Sequence, residues 1–208
     1  DEKIRSYIDV LDRKSQRLKH LTEDLVEASK ISSGNIRLDI QTINLKQLIK
    51  QTNGEFEEKF ENRQLSMVCT LPEEEMLIRA DGRRMWRVIE NLYNNAAKYA
   101  MPGSRIYVDG MCAAGKVTVI IKNISESPLN FDAEELMERF VRGDVSRNTE
   151  GSGLGLEIAR NLTIMMNGKF DIYLDGDLFK VILTFNLAHK EQEPENKEQG
   201  QTMSDDEK

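Results

Sequence analysis

Four apolar residues at intervals of seven, Ile4, Leu11, Leu18 and Leu25, open the chain. Tyr7, Leu21 and Ala28 fill the complementary positions, and Lys14 is the one polar break. A seven-residue repeat keeps its seam on one side of an α-helix and is incompatible with a strand, whose side chains alternate every two residues. The spacing predicts one helix over residues 1 to about 33, ended by Ser33-Gly34-Asn35 with glycine just past the last turn. Charges such as Asp12, Arg13, Arg17, Lys19, Glu23 and Asp24 cover its other faces. An amphipathic helix lying on its own domain gives part of this pattern. A seam sustained over several heptads favours pairing with another helix, in a dimer or a bundle.

Beyond Asn35 the period changes. Ile36–Ile40 alternates as a strand, and Asn44 caps a helix to about Asn62 with Leu45, Leu48, Ile49, Phe56 and Phe60 on its inner face. Leu65–Leu71 and Met76–Ala80 read as strands around the Pro72 turn. Asp81 starts a second helix through about Tyr99. Arg105–Cys112 and Lys116–Ile124 form a hairpin turning at Ala113-Ala114-Gly115. Asp132–Phe140 is a short helix, Val141–Gly151 a mobile polar loop, and Gly153–Asn167 the third main helix. Phe170–Leu174 and Leu178–Leu187 close a second hairpin across Asp175-Gly176-Asp177. Strands interleaved with helices, and hairpins that rule out an all-parallel sheet, predict an α/β two-layer sandwich: one mixed sheet with three main helices on one face. The heptad helix (1–34) precedes this domain (35–187). A Glu-, Gln- and Lys-rich tail (188–208) has too little apolar surface to order itself.

Composition narrows the function. The net charge of -7 argues against a nucleic-acid binder, which needs a basic face. No apolar run approaches the roughly 20 residues of a membrane span. The opening Asp1-Glu2-Lys3 shows neither a signal peptide nor an initiator Met, which points to a fragment or a processed product. Cys69 and Cys112 lie in apolar, strand-like segments and read as free, buried thiols of a reducing cytosol.

Two features carry chemistry. In Gly151-Ser152-Gly153-Leu154-Gly155-Leu156 the glycines let backbone N–H groups approach a ligand. The helix that follows adds unpaired donors and a partial positive charge, making a seat for phosphate. On the second helix, Asn91 and Asn95 are four residues apart and Lys98 three further on, sharing a face apart from the core-facing Val88, Leu92 and Ala96. Asparagine disfavours helix interiors, so two on one face are costly unless their amides work elsewhere. The alternative reading, solvent exposure near a frayed helix end, would serve for one of the two. An amide oxygen suits Mg²⁺ held with phosphates and water, and a lysine gives phosphate a point charge.

Asn91-Leu-x-x-Asn95-Ala-x-Lys98-Tyr99 resembles the asparagine box of sensor histidine kinases. Glu138-Arg-Phe140-Val-Arg142-Gly-Asp-x-Ser146-Arg147 resembles their phenylalanine box, and Gly151–Leu156 their second glycine box. The three occur in the family's order, within a matching alternation of elements. Residues 1–33 resemble the second helix of the dimerisation domain that precedes the ATP-binding domain. The resemblance covers about residues 1–187. It implies the ATP-binding fold shared with gyrase-type ATPases. It implies that Asn95 coordinates Mg²⁺ bridging the ATP phosphates, Asn91 lines the nucleotide site, Lys98 contacts phosphate and Tyr99 packs near adenine. Arg142 and Arg147, which alone would read as solvated loop charges, reach the terminal phosphates from a lid. The implied partners are a response regulator and a second copy of the parent, on the cytoplasmic side of a bacterial plasma membrane.

Two departures from the family are visible. Its first glycine box places an aspartate on the adenine amino group, followed by glycines. Here Asn123 stands at that position in Lys122-Asn123-Ile-Ser-Glu-Ser-Pro128 and the glycines are gone. An amide can accept from the adenine amino group and donate to a ring nitrogen, so the expectation is weakened or retuned nucleotide binding, not its loss. Second, the phosphoacceptor histidine belongs to the first dimerisation helix, and His20 in Leu18-Lys-His-Leu-Thr-Glu23 lacks its pattern. His20 reads as a surface histidine, and the chain is not expected to autophosphorylate. A Rossmann reading of the glycines needs a strand directly before them. A P-loop needs Lys-Ser/Thr after them. A gyrase-type ATPase or a serine kinase shares the fold, but the phenylalanine box and heptad helix favour the histidine kinase. The alternative from another class is a non-catalytic dimerisation or partner-binding module with a degenerate ATP site.

Overall fold

The computed structural model describes residues 2–34, 36–129 and 153–189. Helix α1 (Glu2–Ser32) spans the heptad segment. Its seam faces outward: Ile4, Leu11, Leu18 and Leu25 are all more than half exposed. The seam's complementary positions turn toward the domain near the end of the helix, where Leu21 lines the cleft and Ala28, with Ile31, packs against the core. The helix thus serves two surfaces. Asp24 also faces inward, which corrects its placement among the solvent-covering charges: its side chain keeps only 15% of its exposure.

The strand read over Ile36–Ile40 is displaced. Strand β1 is Gln41–Asn44, antiparallel to β3 (Leu77–Ala80). Residues 36–40 are extended without ladder bonds, and the Asp39 N–H donates to Asp81 Oδ2 at 3.0 Å. Side-chain alternation reports an extended backbone, and here the pairing partner reaches only residues 41–44. Helix α2 (Leu45–Glu61) starts at Asn44, whose Oδ1 accepts the Lys46 N–H. Strand β2 (Ser66–Thr70) does not pair with β3 across Pro72. It runs parallel to β4 (Arg105–Ala113) instead. A parallel pair needs a long crossover, and helix α3 (Gly82–Tyr99) supplies it.

The main sheet has five strands in the order β2-β4-β5-β7-β6, so the expected single sheet is two: this one and the small β1–β3 pair. β5 (Lys116–Ile124) closes the first hairpin through Ala114-Gly115, both at positive φ (49° and 70°), the tight turn that matches strand twist. Helix α4 (Gly155–Met165) leads to the second hairpin, β6 (Lys169–Asp175) and β7 (Leu178–Asn186). Alternate residues of the central strands, among them Val108, Ile121 and Val181 in one cross-strand row, are buried beneath the helices. The other face carries the Lys122–Asp109 ion pair at 2.9 Å. This is the predicted two-layer α/β sandwich. The cysteines depart from expectation: Cys69 is exposed and Cys112 partly so, because β2 is an edge strand and Cys112 lies on the last turn-proximal pairs of β4. Both are free thiols. Among the described residues no helix is long and apolar enough to cross a membrane.

Candidate functional site

Helix α3 builds one wall of the site. Asp81 caps its start, Oδ1 accepting the Arg84 N–H at 3.1 Å, and Met85, Val88, Ile89, Leu92 and Ala96 lock it to the core. That fixes the rotation of the opposite face, where Arg87, Asn91 and Asn95 follow one another at single turns. Asn91, Asn95, Lys98 and Tyr99 line an open cleft of about 1330 Å³, together with Gly153, Gly155 and Leu156 from the start of α4. Asn91 is only 7% exposed, and its Nδ2 has no hydrogen-bond partner among the described residues. A buried amide donor left unpaired costs about 1–3 kcal/mol. A water, an ion or a ligand in the cleft would satisfy it.

The facing wall is the start of α4. The helix begins at Gly155, two residues later than the sequence suggested, because Gly153 takes φ +76°, which no α-helix continues. Leu154, partly buried against the core, precedes it without a side-chain cap bond. A helix start of this kind presents backbone N–H groups and the positive end of the helix dipole to the cleft, which suits an anion. Leu156, Ile158 and Ala159 are buried and hold the helix in place. A Cβ on Gly155 would lie 3.0 Å from Asn91 Oδ1. Gly155→Ala is thus expected to displace Asn91 and lower nucleotide affinity about tenfold (about 1.4 kcal/mol). Its unfolding midpoint should stay near wild type, because alanine favours the helix by roughly 0.5–1 kcal/mol over glycine. Calorimetry and urea unfolding check the two halves separately. Unchanged affinity would remove Gly155 from the site.

At the far end, Lys98 Nζ stands 4.5 Å over the Tyr99 ring. Arg63, missed by the sequence reading, closes this end: its guanidinium donates to the carbonyls of Ala97 (3.0 Å) and Lys98 (3.3 Å) and pairs with Glu126. A cation on the last carbonyls of a helix satisfies orphan acceptors and opposes the dipole. The Glu126 N–H donates to Tyr99 O, tying the segment after β5 to the cleft wall.

Asn123 is not among the residues lining the cleft. It is 3% exposed on the helix-facing side of β5, opposite Ile106 and Phe179, and its Nδ2 donates to Ile124 O at 3.3 Å. Ser125, two residues on, does line it. Arg142, Arg147, Gly151 and Ser152 lie outside the described residues, as do the helix read over 132–140, the loop 141–151 and the tail from 190. His20 sits at the outer wall, its side chain 72% exposed, with Nδ1 3.7 Å from Glu23.

Sequence reading also missed an ionic cluster at the head of the asparagine face. Arg87 donates from Nε to Glu27 (3.0 Å), from one terminal nitrogen to Asp24 (2.5 Å) and from the other to Glu90 (2.6 Å). Arg84 adds a 2.8 Å bond to Glu27. Burial works to lower the Arg87 pKa, but the hydrogen bonds from Glu90 and Glu27 outweigh it and hold the group above its ordinary value. The signal was present: acidic residues three apart on α1 match arginines three apart on α3. Nearby, burial lowers the pKa of Lys59, which Glu90 partly restores.

The sequence pattern of the family described as histidine kinase-, DNA gyrase B- and HSP90-like ATPases matches residues 80–204. Among curated proteins, the alginate biosynthesis sensor protein KinB of Pseudomonas aeruginosa is 27% identical over 165 residues, covering 79% of this chain and 27% of its own length. The sensor histidine kinase WalK of Bacillus subtilis is 25% identical over 195 residues, covering 91% and 31%. The chain therefore spans less than a third of either relative. Full-length ShkA solved with AMPPNP superposes with a TM-score of 0.72 at 19% identity, covering 88% of this chain and 39% of that one. ThkA in complex with the response regulator protein TrrA gives 0.67 at 22% identity, covering 90% and 52%. The chain belongs to the family of histidine kinase-, DNA gyrase B- and HSP90-like ATPases, and within it resembles the ATP-binding catalytic domains of sensor histidine kinases.

Proposed function

We propose that this chain is the ATP-binding catalytic part of a sensor histidine kinase. It transfers the terminal phosphoryl group of ATP to a histidine on a dimerisation helix, for relay to the aspartate of a response regulator. Residues 1–34 act as the second dimerisation helix, 35–187 as the catalytic domain, and 188–208 as a tail. The observation that carries the reading is the buried Asn91 amide, whose Nδ2 has no partner among the described residues, set against Gly155 at the start of α4.

The residues suit Mg²⁺-nucleotide. Asn95 would offer Mg²⁺ one amide oxygen. With one amide oxygen from the chain, the ion would take its remaining ligands from phosphates and water. Bound there, it neutralises charge on the phosphates. The chain's own residues do the rest. The α4 backbone donors and Lys98 seat the phosphates and Tyr99 flanks the base; Asn123 keeps its assignment to base recognition, although it is buried and does not line the cleft. Arg142, Arg147, Gly151 and Ser152, which lie outside the described residues, are assigned to phosphate binding by the family motifs they belong to. Phosphoryl transfer is mostly positioning and charge neutralisation, which this set provides. A solved ShkA complex with AMPPNP and a solved ThkA–TrrA complex support nucleotide and response-regulator partners. The outward seam of α1 suits a second copy of the parent protein, anchored to a bacterial membrane.

The test mixes the purified chain and labelled ATP with a separate polypeptide carrying the parent's first dimerisation helix. Acid-labile phosphate on that helix is the expected result, with none on His20. Saturating Mg²⁺·AMPPNP should raise the melting temperature by roughly 5–10 °C. No shift at millimolar analogue would favour a non-catalytic module.

A further inference from the structure

The ionic cluster at the head of the asparagine face has a use that the nucleotide chemistry leaves open. Arg87 lies one helical turn before Asn91 and lines the same cleft. Each of its three nitrogens is engaged by a carboxylate, two of them from α1. The arrangement is well shielded, with the Asp24 and Glu27 side chains 15% and 14% exposed. Through it α1 is seated so that Leu21 and Asp24 themselves become part of the cleft wall. A polyphosphate entering the cleft meets this cluster in two ways. Its oxygens offer a planar guanidinium the same charge-assisted, bidentate pairing that the carboxylates do, so they can compete for it. Its negative charge also repels Asp24 and Glu90, which stand on the wall it enters.

We propose that Arg87 is a positioning residue whose ion pairs seat the Leu21–Glu27 stretch of α1 on the cleft wall and are given up when nucleotide phosphates are bound, which leaves α1 held more loosely by Ala28, Ile31 and the Arg84–Glu27 pair: the carboxylates of Asp24 and Glu27 and the phosphates of the ligand compete for one guanidinium. This rests on the nucleotide reading above. It makes α1 docking and nucleotide binding mutually antagonistic, and by linkage each weakens the other by the same factor.

Hydrogen exchange of peptides covering residues 18–30 tests it in the whole chain, with calorimetry run in parallel. Saturating Mg²⁺·AMPPNP should raise exchange in this part of α1. The double variant Asp24→Asn/Glu27→Gln should show raised exchange without ligand and bind the analogue about 5-fold more tightly, which a merely structural salt bridge would not do. Saturated binding with unchanged α1 exchange in the wild type overturns the proposal and needs no variant. So does a folded double variant of unchanged affinity. Mg²⁺·tripolyphosphate separates the two readings: if it raises α1 exchange while AMPPNP fails to bind, the competition stands and the adenine nucleotide reading falls. If neither ligand binds, both fall.

Discussion

Asn95→Ala is expected to lower the affinity for Mg²⁺·AMPPNP by about 10- to 100-fold, the range seen when support for a bound metal is removed. The variant should leave unfolding in urea nearly unchanged, since Asn95 is only partly buried and lies on the face of α3 turned from the core. The physical argument is specific to the metal. Asn91 and Asn95 face the cleft from successive turns, but only an amide oxygen, not the unpaired Asn91 donor, suits a hard cation. Binding should therefore be measured with Mg²⁺ and again with chelator. In the wild type Mg²⁺ strengthens binding; in Asn95→Ala that gain disappears. Asn123→Ala serves for comparison: if Asn123 is concerned with the base as proposed, the variant weakens binding with and without metal alike. An Asn95→Ala protein that keeps the full Mg²⁺ dependence would sink the metal assignment.

How much of this was legible beforehand depended on how local the cause was. Helix α3 could be read from Asp81 to Tyr99 because cap, apolar period and asparagine face all lie within one segment. The β4–β5 hairpin was legible for the same reason, its turn residues being adjacent in sequence. Ile36–Ile40 misled because alternation is local while pairing is not: β3 lies more than thirty residues away and reaches only as far as Gln41. The division into two sheets was invisible for the same reason. Gly153 signalled a phosphate seat but not its own positive φ, which moved the helix start to Gly155. In the site, the spacing of Asn91, Asn95 and Lys98 gave a shared face directly. Arg63 and Arg87 were missed, since their partners lie 34 and 63 residues away, and only the fold brings them together.

Tyr93→Ala carries the largest expected cost to stability, about 3–5 kcal/mol, a large part of the roughly 5–15 kcal/mol that holds a domain folded. Tyr93 lies between the two asparagines in sequence but on the opposite face of α3, fully buried. Its ring meets Phe56 edge-on at 5.4 Å and 81°, and Phe60 at 5.7 Å, so it joins α3 to α2. Its hydroxyl donates to Asn53 Oδ1 at 2.6 Å, and burial holds the phenol far above its ordinary pKa, so it remains a donor throughout the stable pH range. Tyr93→Phe removes only that bond and should cost about 1 kcal/mol, because the partly exposed Asn53 finds water. The gap between the two variants isolates the ring. Urea unfolding measures both, and nucleotide affinity per folded molecule measures what the packing does for the site. If the α2–α3 contact sets the rotation of the asparagine face, Tyr93→Ala loses affinity even among its folded molecules, whereas Tyr93→Phe does not. A loss in Tyr93→Ala below about 1 kcal/mol would mean that the aromatic cluster is not what anchors α3, and that the sheet beneath it sets the orientation of Asn91 and Asn95.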